Sequence, residues 1–197
     1  MSKQELFYAE IPSEIITLDS NESAARLKVA RGYTSELIEK CESSLRKEID
    51  CRYCGVRVKV SFPSENMIDM GFGELESRSL YKNLNGCEEA FIFAVTIGHN
   101  VDRMLKKMSI TSVAEHFVTD ALASAFAEAA CDCAENEIKG ELKCKPRFSP
   151  GYGDLPLSIQ PQVLAIVDAG RLLNITLGKT LLMSPSKSIT AIMGIEK

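Results

Sequence analysis

The sequence predicts an α+β fold, and three observations carry that expectation. Val56, Val58, Val60 and Phe62 alternate with Arg57, Lys59 and Ser61, the pattern of a half-buried strand that Pro63 would end. Ala90 to Ile97 is an unbroken apolar run of strand length, suited to the middle of a sheet. Thr111 to Ile138 contains neither proline nor glycine and is rich in alanine, so a long helix is expected there. Strands and helices follow one another in no strict alternation, which favours α+β over a doubly wound sheet.

The remaining elements follow in order. Ile11 to Leu18 reads as a first strand or extended arm. Ser20 or Asn21 would cap a helix running to about Ile49, with Leu27, Ala30, Leu37, Ile38, Cys41 and Leu45 apolar and Gly32 as a point of interruption. Residues 66–72 form a weaker extended segment, and Ser77 to Leu84 a short helix. Gly98 ends the central strand, and Val101 to Met108 is helical. Ser158 to Leu173 reads as one helix, with Pro161 tolerated in its first turn. Leu177 to Met183 and Ile189 to Ile195 read as two final strands joined through Pro185. A chain of 197 residues without repeat, linker or low-complexity tract is expected to form a single domain.

Composition narrows the class of function. Hydrophobic residues make up 45% and charged residues 25%, which are globular values. A net charge of -4, with no basic-aromatic block, argues against nucleic acid. No apolar run approaches the roughly 20 residues that span a bilayer, and Glu5 and Glu10 interrupt any signal-peptide core, so a cytoplasmic protein is expected. Seven cysteines, an odd number without an export signal, favour free thiols over a disulfide framework.

No dinucleotide fingerprint, Walker loop or nucleophile elbow is present. His99 follows a strand and a glycine, where either a site residue or a structural histidine would sit; His116 is the only other histidine. Cys51-Arg52-Tyr53-Cys54 has the spacing of half a zinc knuckle, but a second pair is missing, and Cys131 and Cys133 diverge on a helix. A site would need Cys51, Cys54, Cys133 and Cys144 together; no metal is expected. Glu128, Asp132 and Glu135 share one helix face, with Asp120 earlier and no lysine or arginine until Lys139. Such a face is either simply solvated or a surface for a cationic ligand. Arg147-Phe148-Ser149-Pro150-Gly151-Tyr152-Gly153-Asp154-Leu155-Pro156 holds two prolines and two glycines and can be neither helix nor regular strand. It is either a turn between elements or a shaped loop that offers backbone groups, an arginine and a tyrosine to one point.

The loop and the C-terminal segment together resemble a known family. Arg147-x-x-Pro150-Gly151-Tyr152 is similar to the Arg-x-x-Pro-Gly-Tyr motif of the activation (reactivation) domain of cobalamin-dependent methionine synthase. Leu182 to Thr190 (Leu-Met-Ser-Pro-Ser-Lys-Ser-Ile-Thr) resembles that domain's closing Met-x-Pro-x-x-Ser-Val-Ser segment, and Ala123 to Glu128 resembles its Ala-Glu-Ala-Phe-Ala-Glu helix. The match covers residues 90–195, thins over residues 1–65, and points to a stand-alone short form. The resemblance implies a twisted, mainly antiparallel sheet flanked by helices, with S-adenosylmethionine in a shallow groove over the arginine loop. It implies that Arg147 holds the methionine carboxylate, that backbone around Ser149, Pro150 and Gly151 bonds the ligand, that Tyr152 shapes the groove and that Glu128 lies near the cationic end. It implies a methyltransferase component with no catalytic side chain of its own, presenting a methyl group for reductive methylation of cobalamin carried by a partner, with a flavodoxin-like electron donor. The family's Asp-Trp-Thr-Pro ligand motif is missing, and neither Asp19 nor Asp69 can be assigned to its aspartate. Met193 and Gly194 occupy the positions of an aromatic pair beside the adenosine. The alternative expectation is a non-catalytic module that binds a corrinoid protein and has lost the methyl donor.

Overall fold

The computed structural model describes residues 5–18 and 33–197. Its centre is a four-stranded antiparallel sheet formed by β1 (Leu6–Ile11), β2 (Cys51–Lys59), β5 (Glu89–Thr96) and β8 (Ser188–Ile195), in the order β1-β2-β5-β8. Between β2 and β5 lie a hairpin of β3 (Met67–Asp69) and β4 (Glu74–Glu76) and the short helix α2 (Arg78–Asn83). Helix α1 (Ser35–Arg46) precedes β2. The long connection from β5 to its neighbour β8 carries α3 (His99–Thr111), α4 (Val113–Lys139), a 3-10 turn (Leu157–Ile159), α5 (Gln160–Ile166), α6 (Ala169–Leu173) and the hairpin of β6 (Thr176–Leu177) and β7 (Met183–Ser184). This is an α+β architecture with helices on both sides of the sheet.

Strand alternation divides the core in two. Tyr53, Phe91, Phe93, Val95, Ala191 and Met193 point to one face, where α1, α3 and α4 cover them with Cys41, Leu45, Leu122, Phe126 and Ala130. Cys54, Val56, Ile92, Ala94 and Ile192 point to the other, under Leu80, Leu84, Leu155, Val163, Leu164 and Leu173. With both faces covered, β5 is buried over nearly its whole length, which is why its sequence is apolar without alternation. Each fully buried side chain such as Phe93 or Phe126 contributes about 1.5–3 kcal/mol.

The central strand, the long helix and the last strand lie where the sequence places them. The second strand runs from Cys51 to Lys59 and so starts and ends earlier than the expected Val56 to Phe62, and four elements differ further. The first strand is Leu6–Ile11, not 11–18, because Pro12 opens a turn whose carbonyls at Ser13 and Ile16 accept from Arg46. The helix expected from Ser20 or Asn21 is described only from Ser35, where Thr34 caps it through Leu37 N; its predicted first half lies outside the described residues. The expected helix over 158–173 is broken in two at Asp168, whose φ of 53° no continuous helix accommodates. The strand expected over 177–183 is instead a small hairpin turning between Leu177 and Met183.

Candidate functional site

The arginine loop starts at the free edge of β8. Residues 143–148 run antiparallel beside that strand, with Phe148 N to Ile192 O and Ile192 N to Phe148 O both at 2.8 Å, Lys145 N to Gly194 O at 2.8 Å and Glu196 N to Lys143 O at 2.8 Å. Alternation along this edge sends Arg147 towards α4 and Phe148 to the opposite face, where it packs in the second core. The chain then turns back on itself. Tyr152 N donates to Ser149 O, Gly151 N to Leu155 O at 2.9 Å and Leu155 N to Tyr152 O at 3.0 Å, while Leu155 is buried beneath the turn. Gly151 and Gly153 hold φ of 90° and 56°.

Asp154 locks the loop to the rest of the molecule. Its carboxylate accepts from Ser77 Oγ at 2.6 Å, Arg78 N at 2.9 Å and Ser79 N at 3.0 Å, at the start of α2. The hydrogen bond from Ser77, then that from the Ser79 backbone, hold its pKa down to about 2. Gly153 is pressed against the same helix: a Cβ there would lie 2.9 Å from Ser79 Oγ.

On the other side of the edge, Arg147 meets the acidic face of α4. Its Nη1 donates to Asp132 Oδ1 at 2.5 Å and Glu135 Oε2 at 3.0 Å, and its Nη2 to Glu128 Oε2 at 3.2 Å. The face is thus neither merely solvated nor waiting for an external cation, since the loop supplies one from twelve to nineteen residues downstream. Glu135 also pairs with Lys139 at 3.6 Å, so the cluster joins three carboxylates to a guanidinium and an ammonium. Burial works against the charge of Arg147, but the field of Cys131 and the hydrogen bonds to Asp132 and Glu135 more than offset it, so its pKa lies above the ordinary value. Burial pushes the Cys131 thiol up to about 12, so it is neutral near pH 7 and the carboxylates carry the effect there. Asp120, two turns before Glu128 on the same helix, pairs with Lys187 at 2.8 Å.

Loop, helix and C-terminal segment enclose a cleft of about 740 Å³ across the β8 edge. Its charged end holds Glu128, Arg147 and Ser186; Ser149, Pro150 and Tyr152 form the loop wall, with Tyr152 68% exposed. Its other end is neutral, with Phe148, Leu157, Gln160, Leu181, Leu182 and Met183, and the start of β8 (Ser188, Ile189 and Thr190) forms the floor. The closing segment is pinned in place around a cis Ser184–Pro185 peptide. Ser186 N and Oγ donate to Asp102 at 2.8 and 2.7 Å, and Ser188 Oγ lies 2.9 Å from Thr96 Oγ1.

Of the eight expected ligand-binding residues, Glu128, Arg147, Ser149, Pro150 and Tyr152 line this cleft. Three do not. The Gly151 N–H is used inside the loop by Leu155, so it cannot donate to a ligand. Met193 is fully buried on the α4 face of the sheet, and Gly194 faces α2, where a Cβ would lie 2.7 Å from Cys87 Sγ. Residues that the expectation omitted take the far end instead, above all Gln160, whose only advertisement in the sequence is its place before Pro161 at the start of a helix.

The other candidates are structural. His99 Nε2 lies 3.1 Å from Asn174 O, away from the cleft. Asp69 caps its own turn through Gly71 N, and Asp19 lies outside the described residues. Cys51 and Cys54 lie on opposite faces of β2 and cannot chelate together. Burial pushes both thiols up to about 12. Among the described residues there is no group of three or more histidine, cysteine, aspartate or glutamate side chains placed to hold a metal, and no helix long and apolar enough to cross a membrane.

No protein-family model matches the chain, and no curated protein matches it in sequence. Its fold does match a solved structure, the crystal structure of the MetH reactivation domain bound to AdoHcy (S-adenosylhomocysteine). The TM-score is 0.73 over 98% of this chain and 79% of that one, at 12% sequence identity. At that identity the likeness is one of fold alone.

Proposed function

We propose that this chain is a stand-alone reactivation component of a cobalamin-dependent methionine synthase, binding S-adenosylmethionine in the β8-edge cleft. It would present the methyl group for reductive methylation of cobalamin on a corrinoid partner, with electrons from a flavodoxin-like donor, in the cytoplasm. The observation that carries the reading is the convergence, on one cleft, of the arginine loop, the Glu128 helix and the Leu182–Thr190 segment, in a fold shared with a domain solved with S-adenosylhomocysteine.

The charges suit such a ligand in a particular way. S-adenosylmethionine carries two cationic groups, the sulfonium and the α-ammonium, beside one carboxylate. The acidic face of α4 that lines the cleft through Glu128 suits the cations, and Arg147 uses three of its five N–H groups on carboxylates, a fork that also suits a ligand carboxylate. The sulfonium is already primed to lose its methyl group, so the protein has to orient donor against acceptor and needs no general base. The exposed ring of Tyr152 stands at the cleft mouth, where it would shape the approach to the partner.

Calorimetric titration of the purified chain with S-adenosylmethionine tests this reading. Binding is expected, and Arg147→Ala should weaken it roughly 10- to 100-fold, the range for losing a charge-assisted hydrogen bond. A second reading, a corrinoid-binding module without a methyl donor, draws on the prior engagement of Arg147 by three carboxylates. Recovery of a corrinoid protein on the immobilised chain, together with a blank titration, would select it.

A further inference from the structure

Gln160 is 2% exposed, yet it lines the cleft, at the end opposite the charges. Its carboxamide is held by Thr190, with Nε2 2.8 Å and Oε1 3.2 Å from Thr190 Oγ1, and by the sulfur of Met183, 3.2 Å from Nε2. A thioether is a poor acceptor. A buried amide N–H whose second partner is a sulfur is therefore a donor that a ring nitrogen or carbonyl would engage better. The same cleft is lined by Phe148, Leu157 and Met183, apolar or polarizable groups of the kind that pack against an aromatic ring.

We infer that Gln160, oriented by Thr190, reads the edge of the purine of an adenosyl ligand, with Met183 moving from the amide to the ring face. This inference rests on the adenosyl-ligand reading above and assigns the end of the cleft that Met193 and Gly194 do not supply. The cleft is then polarised across the sheet edge, with charged groups from the α4 side for the amino-acid and sulfonium end and a neutral amide in an apolar wall for the base. A neutral heterocycle has no reason to sit among carboxylates, and a sulfonium has none to sit beside Leu157.

Two probes separate the ends. S-adenosylhomocysteine has both, whereas 5′-deoxy-5′-methylthioadenosine keeps the adenosine thioether and lacks the amino-acid group. The wild-type chain should bind both by calorimetry. Gln160→Met, which preserves volume and removes the amide, should weaken both about tenfold, as expected for one net hydrogen bond, while Arg147→Ala should weaken S-adenosylhomocysteine alone. Thr190→Val, which keeps the amide but frees it to rotate, should cost a smaller factor on both and decides the matter if Gln160→Met does not fold. Unchanged affinities in a folded Gln160→Met, or in Thr190→Val where the first variant is lost, would overturn the assignment while leaving the adenosyl reading intact. A wild-type chain that binds neither probe overturns both.

Discussion

The two ends of the cleft are built on opposite principles. On the α4 side, Arg147 and three carboxylates form a charged cluster whose members fix one another's positions, with the arginine side chain 26% exposed. On the α5 side, Gln160 and Thr190 form a neutral pair shielded from water. The first offers long-range attraction that salt weakens; the second offers shape and a directional bond that salt leaves alone. A ligand with a cationic end and a flat neutral end would feel both, and the β8 edge between them is where the two layers of helices come close enough to share it.

Removing Arg147 should have the largest effect, because it breaks the charged end only. Arg147→Ala removes the guanidinium that Glu128, Asp132 and Glu135 share, and leaves these carboxylates close together at helical spacing with Lys139 beside Glu135. We expect a loss of about 2–3 kcal/mol in urea unfolding, the scale of charge-assisted hydrogen bonds to partly buried groups. Arg147→Lys should recover only part of it, since an ammonium cannot fork between Nη1 and Nη2 partners. Equal stability of wild type and Arg147→Ala would mean that the cluster is a loose surface contact.

Gly194→Ala tests whether the last strand contributes to either end. The new methyl would meet Cys87 Sγ at 2.7 Å and Leu84 Cδ2 at 2.8 Å, inside the core beneath α2. Overpacking of this kind costs about 1–3 kcal/mol. Melting should register that loss while the affinity for S-adenosylhomocysteine stays unchanged in the folded protein; a selective loss of affinity would return Gly194 to the site.

The same contrast explains what could be read from the sequence. The charged end was visible because its residues are conspicuous: carboxylates at three- and four-residue spacing and an arginine at the head of a Pro-Gly loop. What could not be seen was that they partner each other, a contact between segments whose relative placement depends on the β8 edge. The neutral end was invisible because a glutamine before a helical proline looks like any surface residue until tertiary packing buries it. Among the strands, β5 was plain from its apolar run. The first strand was misplaced because Leu6 and Tyr8 lie exposed on an edge strand, so polar–apolar alternation is lacking there. The start of β2 was missed because Cys51, Tyr53 and Cys54 are buried on both faces and show no period of two.

The loop that separates the two ends should respond to smaller changes. Gly153→Ala forces a side chain into φ 56° and against Ser79, at a cost of about 1–2 kcal/mol for the left-handed conformation. Thermal unfolding should show the loss, and affinity for S-adenosylhomocysteine should fall with it, since Ser149, Pro150 and Tyr152 shift together. Wild-type affinity in this variant would show that the loop wall is not needed by the ligand.

The smallest effect is expected from the pH dependence of the loop's anchor, and its sign is fixed by the geometry. Asp154 has a folded pKa of about 2, below the ordinary 3.8, because Ser77 and the Ser79 and Arg78 backbone bond its ionised form. Its contribution is therefore complete above about pH 4, where the carboxylate is ionised in both folded and unfolded chains, and fades as the pH falls through 2. Asp154→Asn keeps the size but loses the charge and one acceptor. The variant should be less stable than wild type at neutral pH, and the gap should narrow steadily as the two are unfolded at pH 4, 3 and 2. A gap independent of pH would mean that size and hydrogen-bond count, and not ionisation, hold the loop to α2. Neither end of the cleft should then be sensitive to acid through this residue, whereas a narrowing gap accompanied by loss of affinity would tie the wall between them to a single carboxylate.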